Sequence, residues 1–256
     1  LGAGEKENAD RSAAQGLLLS LLHGALLSVG GFLCIPYFLP LFTSDARILD
    51  WGMEYAYIVL SFSMVITVQI AFEKIYQAVG NMLVPMVCMA AGCITNIILD
   101  PVFIFGLGPI PRLEVKGAAI ATVIGQVVTL ILYLIWYFCK DMGLSLGRRN
   151  MKLTGEICGK LYTVGVPCSL TMGLPSLLIT VLNGFAAAFS PVYILILGVY
   201  FKLQSFIYLP ANGIVQGMRP ILSYNYGAGE KKRMRRIIQI CSVMILVIMA
   251  AGMLLF

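Results

Sequence analysis

A single carboxylate stands inside a long uncharged stretch of this chain. No Asp, Glu, Lys or Arg occurs from residue 75 to residue 99, and Asp100 follows directly. Asn96 precedes Asp100 by four residues, so the two side chains share one face of a helix. Pro101 removes a backbone donor and leaves a carbonyl oxygen of the preceding turn available as a ligand. An ionisable group inside a bilayer is costly and marks function by default, which makes Asp100 the first candidate.

Thr122 is a third oxygen donor that could meet this carboxylate. Asp100 lies about 26 Å along its helix from Leu83, and Thr122 falls at a similar depth in the next apolar run. The connector over 106–116 is short, so the two runs are predicted to be antiparallel neighbours. A buried carboxyl group can carry a proton, and three oxygens with one negative charge also suit Na⁺. The structural alternative makes Asp100 a helix cap, Asn96 a packing partner and Thr122 a hydroxyl bonded to its own backbone.

A lysine and a Pro/Gly cluster in a later apolar run form a second candidate site. Lys202 lies about 15 Å into the run that starts at Val192, too deep for easy snorkelling. The sequence PANG at 210–213 predicts a break in the same helix, and the run over 161–189 is predicted to be interrupted by its own prolines. One interpretation is a substrate path or hinge that uses Lys202, Pro210, Asn212 and Gly213. The other is a kinked packing helix in which the lysine pairs with an acid elsewhere.

The composition indicates an all-α polytopic membrane protein that positions these residues. Of 256 residues, 59% are hydrophobic and 12% are charged, with a mean hydropathy of +0.90. Soluble chains carry about 25% charged residues, and about 20 apolar residues are enough to cross a bilayer as a helix. Seven spans are predicted, over 15–42, 51–76, 83–105, 117–139, 161–189, 192–224 and 237–256. One histidine and no CxxC pair give no zinc site.

The distribution of cations predicts the orientation of the spans. Thirteen of the 18 Lys and Arg residues fall in one alternate set of loops and only three in the other set. Because positive loops stay in the cytoplasm, residue 1 and the loops over 139–160 and 227–236 are predicted to be cytoplasmic. The cations are spread over short loops and not along one stripe, which argues against a nucleic-acid partner.

The sequence also contains an internal repeat. LGAGEK at 1–6 recurs as YGAGEK at 226–231, and six predicted spans separate the copies. An even number of spans makes the repeats parallel, with two six-helix units and about twelve helices in all. The chain is then expected to be a fragment that holds helices three to nine. Residues 1–140 would be the last four helices of an N-lobe, 141–160 an inter-lobe loop, and 161–256 the first three helices of a C-lobe.

Four strings carry a resemblance to the multidrug and toxic compound extrusion (MATE) family. They are QAVGNMLVPM at 77–86, NIILDPVFIFGLG at 96–108, VKGAAIATVIGQ at 115–126 and QGMRPILSYNYGAGEKKRMRR at 216–236. The resemblance implies twelve helices in two lobes and export of small cationic amphiphilic compounds by alternating access. It also implies antiport with H⁺ or Na⁺ and no cofactor, in a multi-pass protein of the cell membrane that works as a monomer.

The resemblance assigns the ion site residue by residue. In the DNA-damage-inducible branch of the family, an Asn and an Asp on the fifth helix and a Thr on the sixth bind the cation, and Asn96, Asp100 and Thr122 match them. An Asp on the first helix of that branch has no counterpart in this chain. Another branch uses a Glu on the seventh helix, but the run over 161–189 contains no acid. The resemblance leaves H⁺ and Na⁺ both open.

Two other function classes fit the residues less well. A lipid-linked oligosaccharide flippase of the same superfamily would need a strongly cationic cavity for a pyrophosphate, and Lys202 is the one candidate residue for it. An intramembrane enzyme would need a nucleophile with a base, or a metal cluster, and one buried Asp with one His supplies neither. The sequence therefore predicts a transporter and not an enzyme.

Overall fold

The protein is helical throughout the part of the chain that its structure, a computed structural model, describes. The described residues are 1–41, 45–106, 111–140, 142–147 and 149–255, so predictions that fall on Phe42, Asp141, Arg148 and Phe256 lie outside them. Their helices are α1 Lys6–Phe38, α2 Ala46–Ser61, α3 Ser63–Ala78, α4 Leu83–Phe105, α5 Glu114–Cys139, α6 Gly155–Phe189, α7 Pro191–Gly227 and α8 Lys231–Leu255. A 3₁₀ turn, Leu39–Leu41, follows α1. The predicted all-α class is confirmed.

Most of these helices have the dimensions of membrane spans. Within the described residues, α1, α4, α5, α6 and α8 are each long and apolar enough to cross a bilayer, and α2 with α3 could form a sixth span that is bent by 53°. The large apolar side chains on α6 and α8 are mostly exposed, as expected of helices surrounded by lipid or by further helices.

The span predicted over residues 51–76 is formed by two helices joined by a bend and not by one continuous helix. The chain forms α2 and α3 there, and Phe62 between them has a non-helical backbone with φ −103° and ψ 15°. Its N–H donates to the Val59 carbonyl at 3.1 Å. This bond spans three residues, as in a 3₁₀ helix, and not the four residues of an α-helix. The Ser61 hydroxyl donates to the carbonyl of Tyr57 at 2.7 Å, a back-bond that commonly bends helices.

The predicted breaks in the helices over residues 161–189 and 192–224 were wrong. α7 continues through Pro210 and Pro220, and α6 continues through Pro167 and Pro175. A proline inside a helix removes one backbone hydrogen bond, and glycine or asparagine beside it costs only about 1 kcal/mol. The other backbone hydrogen bonds of the 37-residue α7 are enough to keep the chain helical at these prolines.

The chain divides into two compact units, Glu7–Lys152 and Leu1–Lys6 with Leu153–Phe256. In the first unit α4 and α5 are antiparallel neighbours, as predicted, and α3 packs beside them. Its core is formed by buried side chains from α1, α3, α4 and α5 and from the segment after α5, including Ala14, Phe72, Tyr76, Val84, Cys88, Tyr133, Leu144 and Leu146. In the second unit α7 packs against both α6 and α8. The assignment of these residues to lobes stays a prediction.

The two copies of the GAGEK motif have the same local structure. Gly4 and Gly229, which correspond in the repeat, both have left-handed backbones, with φ of 79° and 72°. The Gly4 N–H donates to the Leu1 carbonyl at 2.9 Å, and the Gly229 N–H donates to the Tyr226 carbonyl at 3.0 Å. The motif lysines, Lys6 and Lys231, are the first residues of α1 and α8. This shared geometry supports a duplication.

Candidate ion site

The structure brings the three predicted ion ligands together on α4 and α5. The Asn96 Nδ2 group donates to Asp100 Oδ1 at 3.3 Å and to Thr122 Oγ1 at 3.5 Å. All three side chains are half-buried in the first unit. The cluster therefore joins one turn of α4 to the facing turn of α5, as the spacing and the short connector predict.

The Thr122 hydroxyl also makes the backbone contact that the structural alternative expects. Its Oγ1 donates to the Ala118 carbonyl at 2.9 Å. Because a hydroxyl oxygen has two acceptor lone pairs, this donation leaves Oγ1 free to accept from Asn96 or to bind a cation. The back-bond fixes the direction of the hydroxyl and is compatible with both interpretations of the residue.

Within the part of the chain that the structure describes, Asp100 forms no ion pair with a lysine or arginine. Among the described residues, the ion pairs within 4.0 Å join Arg11 to Glu7, Lys74 to Glu73, Arg112 to Glu114 and Lys160 to Glu156. Asp100 Oδ1 instead accepts a hydrogen bond from the neutral amide of Asn96. A half-buried carboxylate with an amide and a hydroxyl, and with no lysine or arginine of the described residues within that distance, has the chemistry of a site for H⁺ or Na⁺.

Two glycines that the sequence analysis missed set the distance between the helices. A Cβ on Gly92 would lie 2.7 Å from the Gly125 carbonyl oxygen, and a Cβ on Gly125 would lie 2.8 Å from the Gly92 carbonyl oxygen. The backbones of α4 and α5 are thus in reciprocal contact one turn below Asn96, as small residues permit between membrane helices. The signal was present in the sequence, since Gly92 is four residues before Asn96 and Gly125 is three after Thr122.

The connection between α4 and α5 fixes the outer end of the site. Gly106 ends α4 in the left-handed region with φ 75°, and its N–H donates to the Val102 carbonyl at 3.1 Å. The Leu113 N–H donates to the Phe103 carbonyl at 3.0 Å, which ties the start of α5 to the last turn of α4. A Cβ on Gly117 would lie 2.6 Å from the Phe103 carbonyl oxygen, so this contact is also between backbones.

The second candidate set is not assembled into one site. Lys202, Pro210, Asn212 and Gly213 all lie on α7 and are exposed in the second unit. Lys202 and Pro210 are separated by about 12 Å along the helix axis. No hydrogen bond or ion pair of Lys202 is found within the described residues.

A family model decides the classification of the chain. The MatE model matches residues 1–102 and 167–256, which include both copies of the GAGEK motif, Asn96 and Asp100. The chain belongs to the MatE family. The predicted family is therefore confirmed, while its DNA-damage-inducible branch stays a prediction. Family membership and the apolar helices together class this MatE chain as part of a multi-pass membrane protein.

Curated relatives of this MatE chain are export proteins. The multidrug export protein MepA of Staphylococcus haemolyticus is 27% identical over 234 residues, which cover 91% of this chain and 51% of that protein. MepA of Staphylococcus saprophyticus is 33% identical over 184 residues, covering 71% of this chain and 39% of that protein. The chain thus spans about half, or less, of the length of these relatives.

Solved MATE structures share the fold over nearly the whole chain. A MOP superfamily transporter from Pyrococcus furiosus, described as having a binding pocket of reversed polarity that suggests a different function, superposes with a TM-score of 0.91. It is 25% identical, and the match covers 98% of this chain and 55% of that one. An outward-facing multidrug resistance transporter of the MATE family gives the same score, identity and coverage.

Proposed function

We propose that the protein containing this MatE chain is a secondary active exporter of small cationic amphiphilic compounds that exchanges them for H⁺ or Na⁺. The observation that carries the proposal is the Asp100–Asn96–Thr122 cluster, a carboxylate with two neutral polar groups at a helix–helix contact. The multidrug export activity named for the MepA relatives supports the class of substrate. We also infer that the complete protein works as a monomer and needs no cofactor.

The Asn96 amide gives the cluster a simple way to exchange its occupant. In the structure, its NH₂ group points to Asp100 and Thr122, so N–H dipoles occupy the place of a cation. Rotation of the amide by about 180° would replace Nδ2 by Oδ1 and present three oxygens to Na⁺. Protonation of Asp100 would need no such rotation, because the neutral carboxyl group can keep the contact to Nδ2 as an acceptor. Protonation removes the negative charge of Asp100 and Na⁺ compensates it, so either ion changes the electrostatics at the contact between α4 and α5.

We expect Asn96→Ala and Thr122→Ala to weaken coupled efflux without abolishing it. Each substitution removes one neutral ligand and leaves the charge of Asp100, and one such hydrogen bond or ligand contributes about 1 kcal/mol, or about fivefold in ion affinity. Dye efflux from proteoliposomes with an imposed Na⁺ or pH gradient measures the effect. If Na⁺ is the ion, the two variants need more Na⁺ for half-maximal rate, whereas with H⁺ the dependence on pH changes little.

Thr95→Ala is the matched control for Thr122→Ala. The Thr95 hydroxyl donates to the Ala91 carbonyl at 2.8 Å, the same back-bond that Thr122 makes to Ala118. Among the described residues, the Thr95 hydroxyl forms no hydrogen bond with the Asn96 or Asp100 side chain. Equal losses of coupling in both threonine variants would make Thr122 a structural residue and remove it from the site.

We propose that Lys202 acts on substrate handling and not on ion binding. Its charge lies on α7, in the unit that does not contain Asp100, and repels a cationic substrate. Lys202→Ala is expected to change the range or the turnover of exported dyes by several-fold, while protection of the protein against thermal unfolding by Na⁺ or by low pH stays as in the wild type. Loss of ion protection with unchanged dye transport would reverse this assignment. Pro210→Ala, Asn212→Ala and Gly213→Ala extend the same test along the helix.

The second candidate function is flipping of a lipid-linked oligosaccharide. Lys202 is the residue that favours this function, because an exposed cation can contact a pyrophosphate. The half-buried carboxylate of the Asp100 cluster is not explained by that function. Transport of a fluorescent cationic dye that depends on an ion gradient distinguishes the two functions.

A further inference from the structure

A cavity of about 220 Å³ lies at one end of the first unit, away from the Asp100 cluster. It is formed where α3 ends, α4 begins and α5 ends, and Met142 from the segment after α5 closes one side. This volume is far above the ~10–15 Å³ that one water molecule needs. The distribution of cations predicts that this end of the unit faces the cytoplasm.

The walls of this cavity combine a cation, an amide and aromatic rings. Lys140 Nζ lies 4.5 Å from the centroid of the Trp136 ring, a cation–π contact that holds the ammonium group at the wall. The Asn81 side chain is also in the wall, and its Oδ1 accepts from the Val84 N–H at 3.2 Å. This bond fixes the amide so that its NH₂ group stays available as a donor.

Tyr76 is the unusual member of the wall. Its side chain is 3% exposed, and its hydroxyl has no hydrogen-bond partner within the described part of the chain. A buried hydroxyl without a partner is unfavourable, so a buried tyrosine normally finds one. The ring is held by stacking on Tyr133 at 5.8 Å between centroids. Because Tyr76 lines the cavity, an acceptor that reached its hydroxyl from there would give it a partner.

The described residues that line the cavity include one cation, Lys140, which can attract an anion. None of the described residues that line it is acidic. The nearest carboxylate on α3, Glu73, is 12% exposed and is neutralised by Lys74 Nζ at 2.9 Å and bonded by Gln77 Nε2 at 2.8 Å. Lys140 takes part in no ion pair among the described residues, so its charge is available.

We infer that this cavity binds the phosphate of an anionic lipid headgroup from the cytoplasmic leaflet. A phosphate oxygen would accept from Lys140, from the Asn81 amide and from the Tyr76 hydroxyl, and Trp136 supplies the aromatic side chain that typically lies at headgroup level. Basic pockets between membrane helices on the cytoplasmic side bind anionic headgroups by this chemistry. The lipid would bridge α3, α4 and α5, the elements that also support the core of the unit.

Thermal unfolding of the intact protein in a nonionic detergent tests the inference. Phosphatidylglycerol and phosphatidylcholine are added separately, and inorganic phosphate is a third arm that separates a lipid from a free anion. Phosphatidylglycerol is expected to raise the unfolding temperature of the wild type, and phosphatidylcholine and phosphate are not. Lys140→Gln should raise the lipid concentration for half-maximal stabilisation about fivefold, as expected for one cation at a membrane surface. Lys152→Gln, which removes an exposed lysine elsewhere in the same unit, should leave that concentration unchanged.

Tyr76→Phe separates lipid binding from a structural role. Without lipid the variant should unfold at or above the wild-type temperature, because it loses a hydroxyl that had no partner. With phosphatidylglycerol it should be stabilised less than the wild type. The inference is overturned if Lys140→Gln and Lys152→Gln respond alike, if phosphatidylcholine stabilises as well as phosphatidylglycerol, or if inorganic phosphate alone reproduces the whole effect.

Discussion

Asp100→Asn is expected to abolish coupled efflux while the protein still inserts and folds. The substitution keeps the shape of the side chain and an acceptor oxygen for the Asn96 amide, which lies 3.3 Å from Asp100 Oδ1. It removes the one negative charge of the cluster. A charge pair at 4 Å and an effective dielectric constant of about 20 is worth about 4 kcal/mol, so ion affinity should fall by about a thousandfold. Gradient-driven efflux of a cationic dye from proteoliposomes measures the loss.

Asp50→Asn is the control for the change in charge. Asp50 is an exposed carboxylate on α2 in the same unit, and its variant should transport as the wild type does. Expression and unfolding temperature of Asp100→Asn should match the wild type when no ion is added, and stabilisation by Na⁺ or by acid should disappear. Wild-type coupling by a well-expressed Asp100→Asn protein would leave Asp100 as a structural cap and would remove the main support for ion-coupled export.

Gly125→Ala is expected to weaken the ion site through the distance between α4 and α5. The new Cβ would lie 2.8 Å from the Gly92 carbonyl oxygen and 3.3 Å from Asn96 Cβ, so the helices have to separate. The contact between Asn96 and Thr122 is already 3.5 Å long and would be lost with any further separation. Overpacking of this kind costs about 1–3 kcal/mol of stability. The apparent affinity for the coupling ion should fall by at least the factor expected for Thr122→Ala.

Gly173→Ala tests whether this effect is specific to the contact. Gly173 lies within α6, and a Cβ there meets no atom within 4 Å, so the variant should keep its ion affinity. Protection against thermal unfolding by increasing concentrations of Na⁺ or H⁺ reports affinity in the folded protein and separates it from the loss of stability. A Gly125→Ala protein that is destabilised but has wild-type ion affinity would show that the glycines act on packing alone.

The sequence by itself determined the all-α membrane fold and the position of the Asp100–Asn96–Thr122 cluster. Long uncharged runs leave few alternatives to spanning helices, because a bilayer requires backbone hydrogen bonds to be made within the segment. The cluster followed from local rules as well: Asn96 and Asp100 are one turn apart, and a short connector makes α5 return beside α4 with Thr122 at the same depth. The GAGEK repeat was also visible in the sequence. Both copies place a glycine, Gly4 or Gly229, at the turn residue whose backbone is left-handed, a conformation that favours glycine.

Helix continuity could not be read from proline and glycine alone. The PANG sequence leaves α7 intact, whereas Phe62, which has no proline or glycine within nine residues on either side, ends one helix and starts another. A proline removes one hydrogen bond from a long helix, and the many bonds on each side outweigh that loss. The bend at Phe62 depends on how α2 and α3 each pack in the first unit, which is a property of the tertiary structure.

Only the tertiary structure decided which residues face each other across the helices. It placed Gly92 against Gly125, and so fixed how closely Asn96 approaches Thr122. It also gathered Tyr76, Trp136 and Lys140 around one cavity, although they come from helices separated by a whole span in the sequence. Periodicity gives the face of a helix on which a side chain lies, but the rotation and depth of the neighbouring helix are set by the packing of all of its contacts together.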